Sequence, residues 1–137
     1  MTQIQAYLGF DGNCTEAMHF YQQALGGDLQ IMTMADSPMK DQVPAEKRQQ
    51  VMHSSLTGPD FVLNASDMTQ NPVSSGLVSL MLQFDPDADI QGTFQRLAEG
   101  GTVTQPLIPS FWGSTFGHLT DRYGVNWMLN QEGTQGQ

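Results

Sequence analysis

Basic residues and cysteine are scarce in this 137-residue chain, and each shortage excludes a class of protein. Lysine and arginine together number five against 14 aspartates and glutamates, for a formal net charge of −9. Nucleic acid is therefore not an expected partner, because neutralising phosphates requires clustered basic side chains. The single cysteine, Cys14, has no partner for an intrachain disulfide, which favours a reducing compartment.

Long apolar runs are missing as well. The first residues show neither the basic nor the apolar stretch of a signal peptide, and no run is long enough to cross a bilayer. We therefore expect a cytoplasmic protein with no membrane partner. The chain is long enough to bury a core, so we expect one domain over residues 1–131 and a flexible tail at 132–137.

An internal duplication organises the chain. Shifting the sequence by 74 positions aligns residues 4–27 with residues 78–101 without a gap. The seven identities pair Leu8 with Leu82, Phe10 with Phe84, Asp11 with Asp85, Phe20 with Phe94, Ala24 with Ala98, Gly26 with Gly100, and Gly27 with Gly101. Each matched position has the same expected structural role in both copies, which makes the repeat persuasive.

The first copy has the pattern of a strand followed by a helix. Apolar residues alternate with more polar ones over residues 4–10, the period of a strand with one buried face. Asn13 is suited to cap a helix, and Glu16 three residues later completes a capping-box pattern. An apolar stripe at helical spacing follows, and Gly26-Gly27 is expected to stop the helix.

The second copy follows the same order. Apolar residues alternate over 78–84, and Asp87 or Asp89 is expected to cap a helix that ends at Gly100-Gly101. Three stretches with strand character follow each helix: 28–35, 49–57 and 61–66 in the first half, and 102–106, 115–120 and 125–131 in the second. Each half is therefore predicted to be β-α-β-β-β, with module one at about 3–67 and module two at about 76–131.

Two stretches of the sequence resemble a known family. One is the opening stretch, Tyr7-Leu8-x-Phe10-Asp11-Gly12-Asn13-Cys14-x-Glu16-Ala17-x-x-Phe20-Tyr21, which is similar to the opening of PhnB-like proteins. The other is the closing stretch, Phe111-Trp112-Gly113-x-x-Phe116-Gly117-x-x-x-Asp121-x-x-Gly124-Val125-x-Trp127. PhnB-like proteins belong to the vicinal oxygen chelate superfamily, with glyoxalase I, bleomycin-resistance proteins and extradiol dioxygenases. The resemblance implies an α+β fold in which two tandem βαβββ modules form a curved, cup-shaped mixed sheet with the helices on its outer face.

The resemblance does not supply a reaction, because this fold hosts many chemistries. Our leading hypothesis is a homodimeric, small-molecule-binding PhnB-like protein that uses no cofactor, and whether it is an enzyme stays open. A metal-dependent lyase or dioxygenase and a drug-sequestering resistance protein are the alternatives. Some relatives carry a ubiquinone-pathway methyltransferase label, but the sequence shows no glycine-rich loop of the kind that would hold S-adenosylmethionine.

Metal-dependent relatives place one ligand on each of four strands. The resemblance carries those positions to Gln5, Ser79, Met128 and either Leu63 or Asn64, and Gln5 alone matches the ligand types of the family. Divalent ions in oxygen and nitrogen sites prefer imidazole and carboxylate donors. We therefore expect no metal ion in the cup.

Two histidines supply the alternative chemistry. His53 and His118 lie on different predicted strands and would form a metal site together with Asp67 or Asp121. Without a metal, His53 is the candidate general base, although no carboxylate is close to it in sequence. Cys14 lies in the first helical turn, where the helix dipole lowers a thiol pKa, but we favour a structural role for it.

The remaining candidates are the side chains predicted to face the cup. They mix aromatic and apolar groups with scattered hydrogen-bonding groups, as is typical of a small-molecule pocket. The set is Gln5, Tyr7, His53, Ser55, Asn64, Ser79, Met81, Phe111, Trp112, Phe116, His118 and Met128. For Trp112, stacking on a planar ligand and anchoring a dimer remain equally open.

Overall fold

Residues 4–38, 40–67, 78–109 and 113–132 are described by the structure, a computed structural model. The chain divides into two compact units, residues 1–73 and 74–137. We call them module one and module two. Among the described residues, no helix is both long and apolar enough to span a membrane.

Module one contains a helix and a four-stranded mixed sheet. Its elements are β1 (Ala6–Gly9), α1 (Cys14–Leu25), β2 (Asp28–Thr33), β3 (Val51–Thr57) and β4 (Val62–Ser66). The strand order is β1-β4-β3-β2, with β1 parallel to β4 and the other neighbours antiparallel. Three short 3₁₀ helices, at Met34–Asp36, Lys40–Gln42 and Ala45–Lys47, lie in the long connection from β2 to β3.

Module two repeats this architecture. Its elements are β5 (Leu80–Phe84), α2 (Ile90–Ala98), β6 (Thr102–Pro109), β7 (Thr115–Thr120) and β8 (Asn126–Gln131). The strand order is β5-β8-β7-β6, again with the first and last strands parallel. Ala6 pairs with Leu63 in β4, and Leu80, 74 positions later, pairs with Trp127 in β8. The predicted α+β class and the tandem βαβββ arrangement are confirmed.

The core of each module lies between its helix and one face of its sheet. In module one the helix buries Cys14, Ala17, Met18, Tyr21 and Ala24, and the strands bury Ser54, Leu56, Leu63 and Ala65. In module two the helix buries Ile90, Thr93, Phe94 and Leu97 beneath Leu119, Trp127 and Leu129. Each large apolar side chain buried in this way contributes about 1.5–3 kcal/mol. Because strand side chains alternate, the side chains on the opposite face of each sheet are more exposed.

The N-terminus of α1 corrects the capping-box prediction. The Asn13 side chain makes no capping hydrogen bond. Asp67, just after β4, takes that role: its Oδ1 accepts from the backbone N–H of Gly12 and of Cys14, both at 2.9 Å. Its Oδ2 accepts from Val51 N at 2.9 Å. In α2 the prediction holds for Asp89, whose Oδ1 accepts from Gly92 N at 3.0 Å.

Both helices end at the predicted glycine pairs. Gly26 and Gly27 have φ of 78° and 103°, a region that favours glycine, and Gly100 has φ of 78°. A Cβ on Gly27 would lie 2.8 Å from the carbonyl oxygen of Thr57 at the end of β3. A Cβ on Gly101 would likewise collide with the carbonyl oxygen of Thr120 at the end of β7. The second glycine of each pair thus lets the chain pass close to the sheet.

Candidate functional site

We define the open face of module one as the side of its sheet opposite α1. Its side chains are Gln5, Tyr7, Asp28, Gln30, Met32, His53, Ser55, Thr57, Val62 and Asn64. Four of them form one register row across the whole sheet, since Tyr7 pairs with Asn64, Asn64 with Ser55, and Ser55 with Gln30. The side chains of such a row project in the same direction. The sheet therefore presents a continuous polar row with an aromatic ring at one end.

Direct contacts hold part of this face in place. The amide nitrogen of Asn64 donates to Gln5 Oε1 at 3.1 Å and to the carbonyl oxygen of Ala6 at 3.3 Å. The rings of Tyr7 and His53 lie with their centroids 6.1 Å apart and tilted by 37°. Because Tyr7 is on β1 and His53 on β3, the two rings lean toward each other above β4.

A groove of about 440 Å³ lies on the β2–β3 side of this face. Its walls are Gln30, Ile31, Met32, His53, Ser55 and Thr57. A second groove of about 550 Å³ lies at the beginning of β1, between Ile4, Gln5 and Ala6 and the turn at residues 58–62. The first combines thioether, aromatic and hydroxyl groups, as small-molecule sites do.

His53 has the position of a pocket residue but lacks the partner of a strong base. Its side chain is exposed, and among the described residues its ring contacts Tyr7 while no carboxylate bonds to either of its nitrogens. A catalytic histidine is commonly oriented by a second hydrogen-bonding group. The arrangement suits hydrogen bonding to a ligand better than proton abstraction.

The open face of module two, the side of its sheet opposite α2, has a softer composition. Met81, Met128 and His118 form one register row over β5, β8 and β7. The Phe116 and His118 rings lie 6.0 Å apart. Asn130 donates to Gln83 Oε1 at 3.1 Å, much as Asn64 donates to Gln5. Ser79 is exposed and comes directly before β5.

The predicted pocket residues are therefore divided between two faces. Gln5, Tyr7, His53, Ser55 and Asn64 lie together on the open face of module one, while Met81, Phe116, His118 and Met128 lie together on that of module two. Phe111 and Trp112 fall outside the described residues.

Sequence reasoning missed Gln30 and Thr57, which line the groove. The alternation of β2 and β3 places them on the same side as Ser55, and that alternation was the available signal.

The two acids of the alternative metal set are already engaged. Asp67 accepts three backbone hydrogen bonds and is 5% exposed. Asp121 Oδ1 accepts from Tyr123 N and Val125 N, and its Oδ2 accepts from the indole of Trp127 at 2.8 Å. In the described part of the chain, no three His, Cys, Asp or Glu side chains are grouped so as to hold a metal ion.

Cys14 is buried and protonated. Its Sγ lies 3.6 Å from Ser54 Oγ, and its side chain has no exposed surface. Burial raises the pKa of the thiol to about 11, and the nearby Asp67 carboxylate adds to the rise while the Ser54 hydrogen bond opposes it. The possibility that the helix N-terminus lowers the pKa of Cys14 is therefore wrong. The thiol fills space in the core.

Comparison with known proteins places this architecture. A family model described as 3-demethylubiquinone-9 3-methyltransferase matches residues 2–130. The chain belongs to this family. Protein YjdN of Escherichia coli (strain K12) is 30% identical to this chain, and the match covers 93% of each of the two proteins.

Solved structures agree with the family assignment. Protein PA1353 from Pseudomonas aeruginosa is 41% identical, with a TM-score of 0.84 over 97% of this chain and 99% of that one. A Bacillus cereus protein described as a putative 3-demethylubiquinone-9 3-methyltransferase, PhnB protein, is 25% identical, with a TM-score of 0.73 over 95% and 99%. The fosfomycin resistance protein FosX from Listeria monocytogenes, at 10% identity, 98% and 95% coverage and a TM-score of 0.64, shares the fold. The predicted PhnB-like membership is confirmed, and the chain shares the fold of a fosfomycin resistance protein.

Proposed function

We propose that this PhnB-like protein binds a small organic molecule on the open face of module one, without a metal ion, as a cytoplasmic homodimer. The main support for this proposal is a cluster of side chains beside a groove of about 440 Å³. The cluster consists of Tyr7, His53, Ser55 and Asn64. Aromatic surfaces with a few placed polar groups are the usual lining of small-molecule sites.

The donor chemistry supports binding without a metal. At the positions corresponding to the family's ligands, Gln5 already accepts a hydrogen bond from Asn64, while Ser79 and Met128 are weak donors for a hard divalent ion. The acids Asp67 and Asp121 each accept three hydrogen bonds elsewhere. A lyase or dioxygenase of the metal-dependent kind would need other donors.

The residues do not fit S-adenosylmethionine at the first strand–helix junction either. Methyl donors and nucleotides are often held by free backbone N–H groups in a glycine-rich loop before a helix. Here the N–H groups of Gly12 and Cys14 are both bonded to Asp67. The methyl transfer named in the family description therefore has no support at this loop, and we propose binding without methyl transfer.

Ligand binding is tested by thermal shift with 4-hydroxybenzamide and, separately, S-adenosylmethionine on protein purified without chelator. We expect 4-hydroxybenzamide at about 100 times its dissociation constant to add about 2.7 kcal/mol to the free energy of unfolding and to raise Tm. The rise should disappear in Ser55→Ala and His53→Ala. It should persist in His19→Ala, whose exposed imidazole bonds to Thr15 on the outside of α1.

Three results would contradict the proposal. Stoichiometric Zn, Ni, Mn or Fe in elemental analysis would favour the metal-dependent enzyme. A rise in Tm with S-adenosylmethionine would favour methyltransferase activity. A rise in Tm with 4-hydroxybenzamide that persists in Ser55→Ala and His53→Ala would show that the ligand binds outside the open face of module one. Native mass spectrometry of the same preparation tests the homodimer.

A further inference from the structure

The basic residues of the chain all lie outside its strands. Lys40, Lys47 and Arg48 are in the connection from β2 to β3, Arg96 is on α2, and Arg122 is in the turn between β7 and β8. The residues outside the described ranges contain no charged side chain. The eight strands of the described ranges therefore hold no lysine, arginine or glutamate, and a single aspartate, Asp28, which is the first residue of β2 and lies on the open face of module one.

The arginines are also bonded away from the open face. Arg122 pairs with Glu99 at 3.3 Å, and Arg96 bonds to Thr93 on its own helix. Arg48 donates from Nε to the carbonyl oxygen of Val43 at 3.3 Å. An anion lying on the open face of module one would thus lose its hydration without meeting a lysine or arginine of the strands. Burying an unpaired charge is costly, whereas a neutral group exchanges one hydrogen bond for another.

Apart from Asp28 at the beginning of β2, the polar side chains of this face are amides, hydroxyls and one imidazole, which can both donate and accept hydrogen bonds. Asn64 uses its amide nitrogen within the protein, which leaves its carbonyl oxygen as an acceptor. Gln30 and Ser55 stand in the same register row, and each can donate as well as accept. The Tyr7 and His53 rings beside them offer a surface for a planar group.

We infer that the ligand of this face is an uncharged planar molecule with a polar edge, such as an aromatic amide or phenol. The inference rests on the proposed function and specifies its ligand class. A cationic ligand is the main competitor, because the net charge of −9 attracts cations at long range. Such attraction speeds the encounter, and Asp28, opposite Thr57 on the same face, is the one strand carboxylate in the described residues that could pair with the cation. Asp28 is exposed, however, and an exposed ion pair contributes little.

Three compounds of nearly the same size and shape but different charge test the inference. They are the neutral 4-hydroxybenzamide, the anionic 4-hydroxybenzoate and the cationic 4-hydroxybenzamidine. We expect the neutral amide to bind at least about tenfold more tightly than the anion or the cation, since the anion loses hydration without a lysine or arginine partner and the cation gains only the exposed Asp28. Dissociation constants come from two-dimensional amide NMR titrations, which also show whether Gln30 and Ser55 respond.

Gln30→Lys supplies the missing cation and reduces or removes the preference for the amide over the anion. We expect 4-hydroxybenzoate to bind about tenfold more tightly to this variant than to the wild type. Gln23→Lys, which adds the same charge on the exposed side of α1, is the matched control and should leave the order unchanged. The NMR spectrum of each variant establishes that the sheet is intact, and Ser55→Lys gives a second placement of the cation.

The outcomes distinguish this inference from the function on which it rests. Wild-type binding of the benzoate or the benzamidine as tight as that of the amide would overturn the inference and leave the binding site in place. Failure of both Gln30→Lys and Ser55→Lys to improve benzoate binding would overturn it as well. Absence of binding by all three compounds would overturn the inference and the proposed function together.

Discussion

Modules one and two each bury one aspartate that accepts three hydrogen bonds, but the two aspartates join very different lengths of chain. Asp67 bonds to Gly12, Cys14 and Val51, which lie 55, 53 and 16 residues away. Asp121 bonds within its own turn and strand, to residues two, four and six positions ahead. Asp67 therefore ties the start of α1 and the start of β3 to the end of β4, while Asp121 shapes one hairpin.

The helices show the same difference. The N-terminus of α1 depends on a residue contributed by the last strand of its module, whereas α2 begins at its own Asp89. The first backbone N–H groups of a helix have no partner within the helix, and an acceptor that is near or far in sequence can bond to them. Duplicated modules can thus keep a topology while changing which part of the chain stabilises it.

Removing Asp67 should have the largest effect. We expect Asp67→Ala to lower the free energy of unfolding by about 3–5 kcal/mol, because it strands three backbone N–H groups, two of them buried. Asp89→Ala, which removes only an exposed local cap, should cost about 1 kcal/mol. Urea unfolding at pH 7 measures both. If the two variants lose the same free energy of unfolding, the hydrogen bonds of Asp67 to distant parts of the chain contribute no more stability than the local cap of Asp89.

The thiol of Cys14 provides the second test. Cys14 and Ile90 are the first residues of α1 and α2, and both are buried. Because Cys14 takes the same core position as an isoleucine, we expect its thiol to be unreactive in the folded protein. With its pKa raised from 9.0 to about 11, the thiolate fraction at pH 8 is about 100-fold smaller than in the unfolded chain. Native protein should react with a disulfide reagent at least that much more slowly than protein in denaturant.

The same pKa fixes a pH dependence. Because the folded pKa lies above the unfolded one, the stabilising contribution of neutral Cys14 is complete below about pH 9 and is lost as the pH rises through about 11. Cys14→Val should remove this part of the alkaline loss of stability. A native thiol that reacts as fast as the denatured one would contradict its burial.

Asp121→Asn should lower the free energy of unfolding by less than Asp67→Ala does. The asparagine retains an acceptor for the N–H groups of Tyr123 and Val125, while its NH₂ group cannot accept from the Trp127 indole. We expect a loss of about 1–2 kcal/mol. The emission of Trp127, read in a Trp112→Phe background, should shift in the native state. An unchanged spectrum together with unchanged stability would show that the Asp121–Trp127 bond is dispensable.

Periodicity in the sequence was sufficient to predict most of the fold. Alternation over 4–10 and 78–84, followed by a helical stripe and a glycine pair, placed two strands and both helices within a few residues of their observed bounds. Strand order was beyond such patterns, because alternation shows which face of a strand is buried and not which strand lies beside it. The Asn13 capping prediction was wrong because Asp67, far along the chain, provides the acceptor.

The candidate site was partly predictable for the same reason. Alternation identified Tyr7, His53, Ser55 and Asn64 as one-sided residues, and the register brings them together on the open face of module one. The alternation of β2 could have placed Gln30 on one side of its strand, but its position opposite Ser55 depends on the β2–β3 register. The residues alone do not specify that register, which includes an irregularity after Met32.

In both modules the strand synthesised last lies inside the sheet. β4 is inserted between β1 and β3, and β8 between β5 and β7. On the ribosome, β1 and β5 must therefore wait without a strand neighbour until the end of their module emerges, and such distant closure slows folding. A chain released before Asn126 would leave both β5 and β7 with unpaired edges toward the missing β8, and unpaired strand edges favour aggregation.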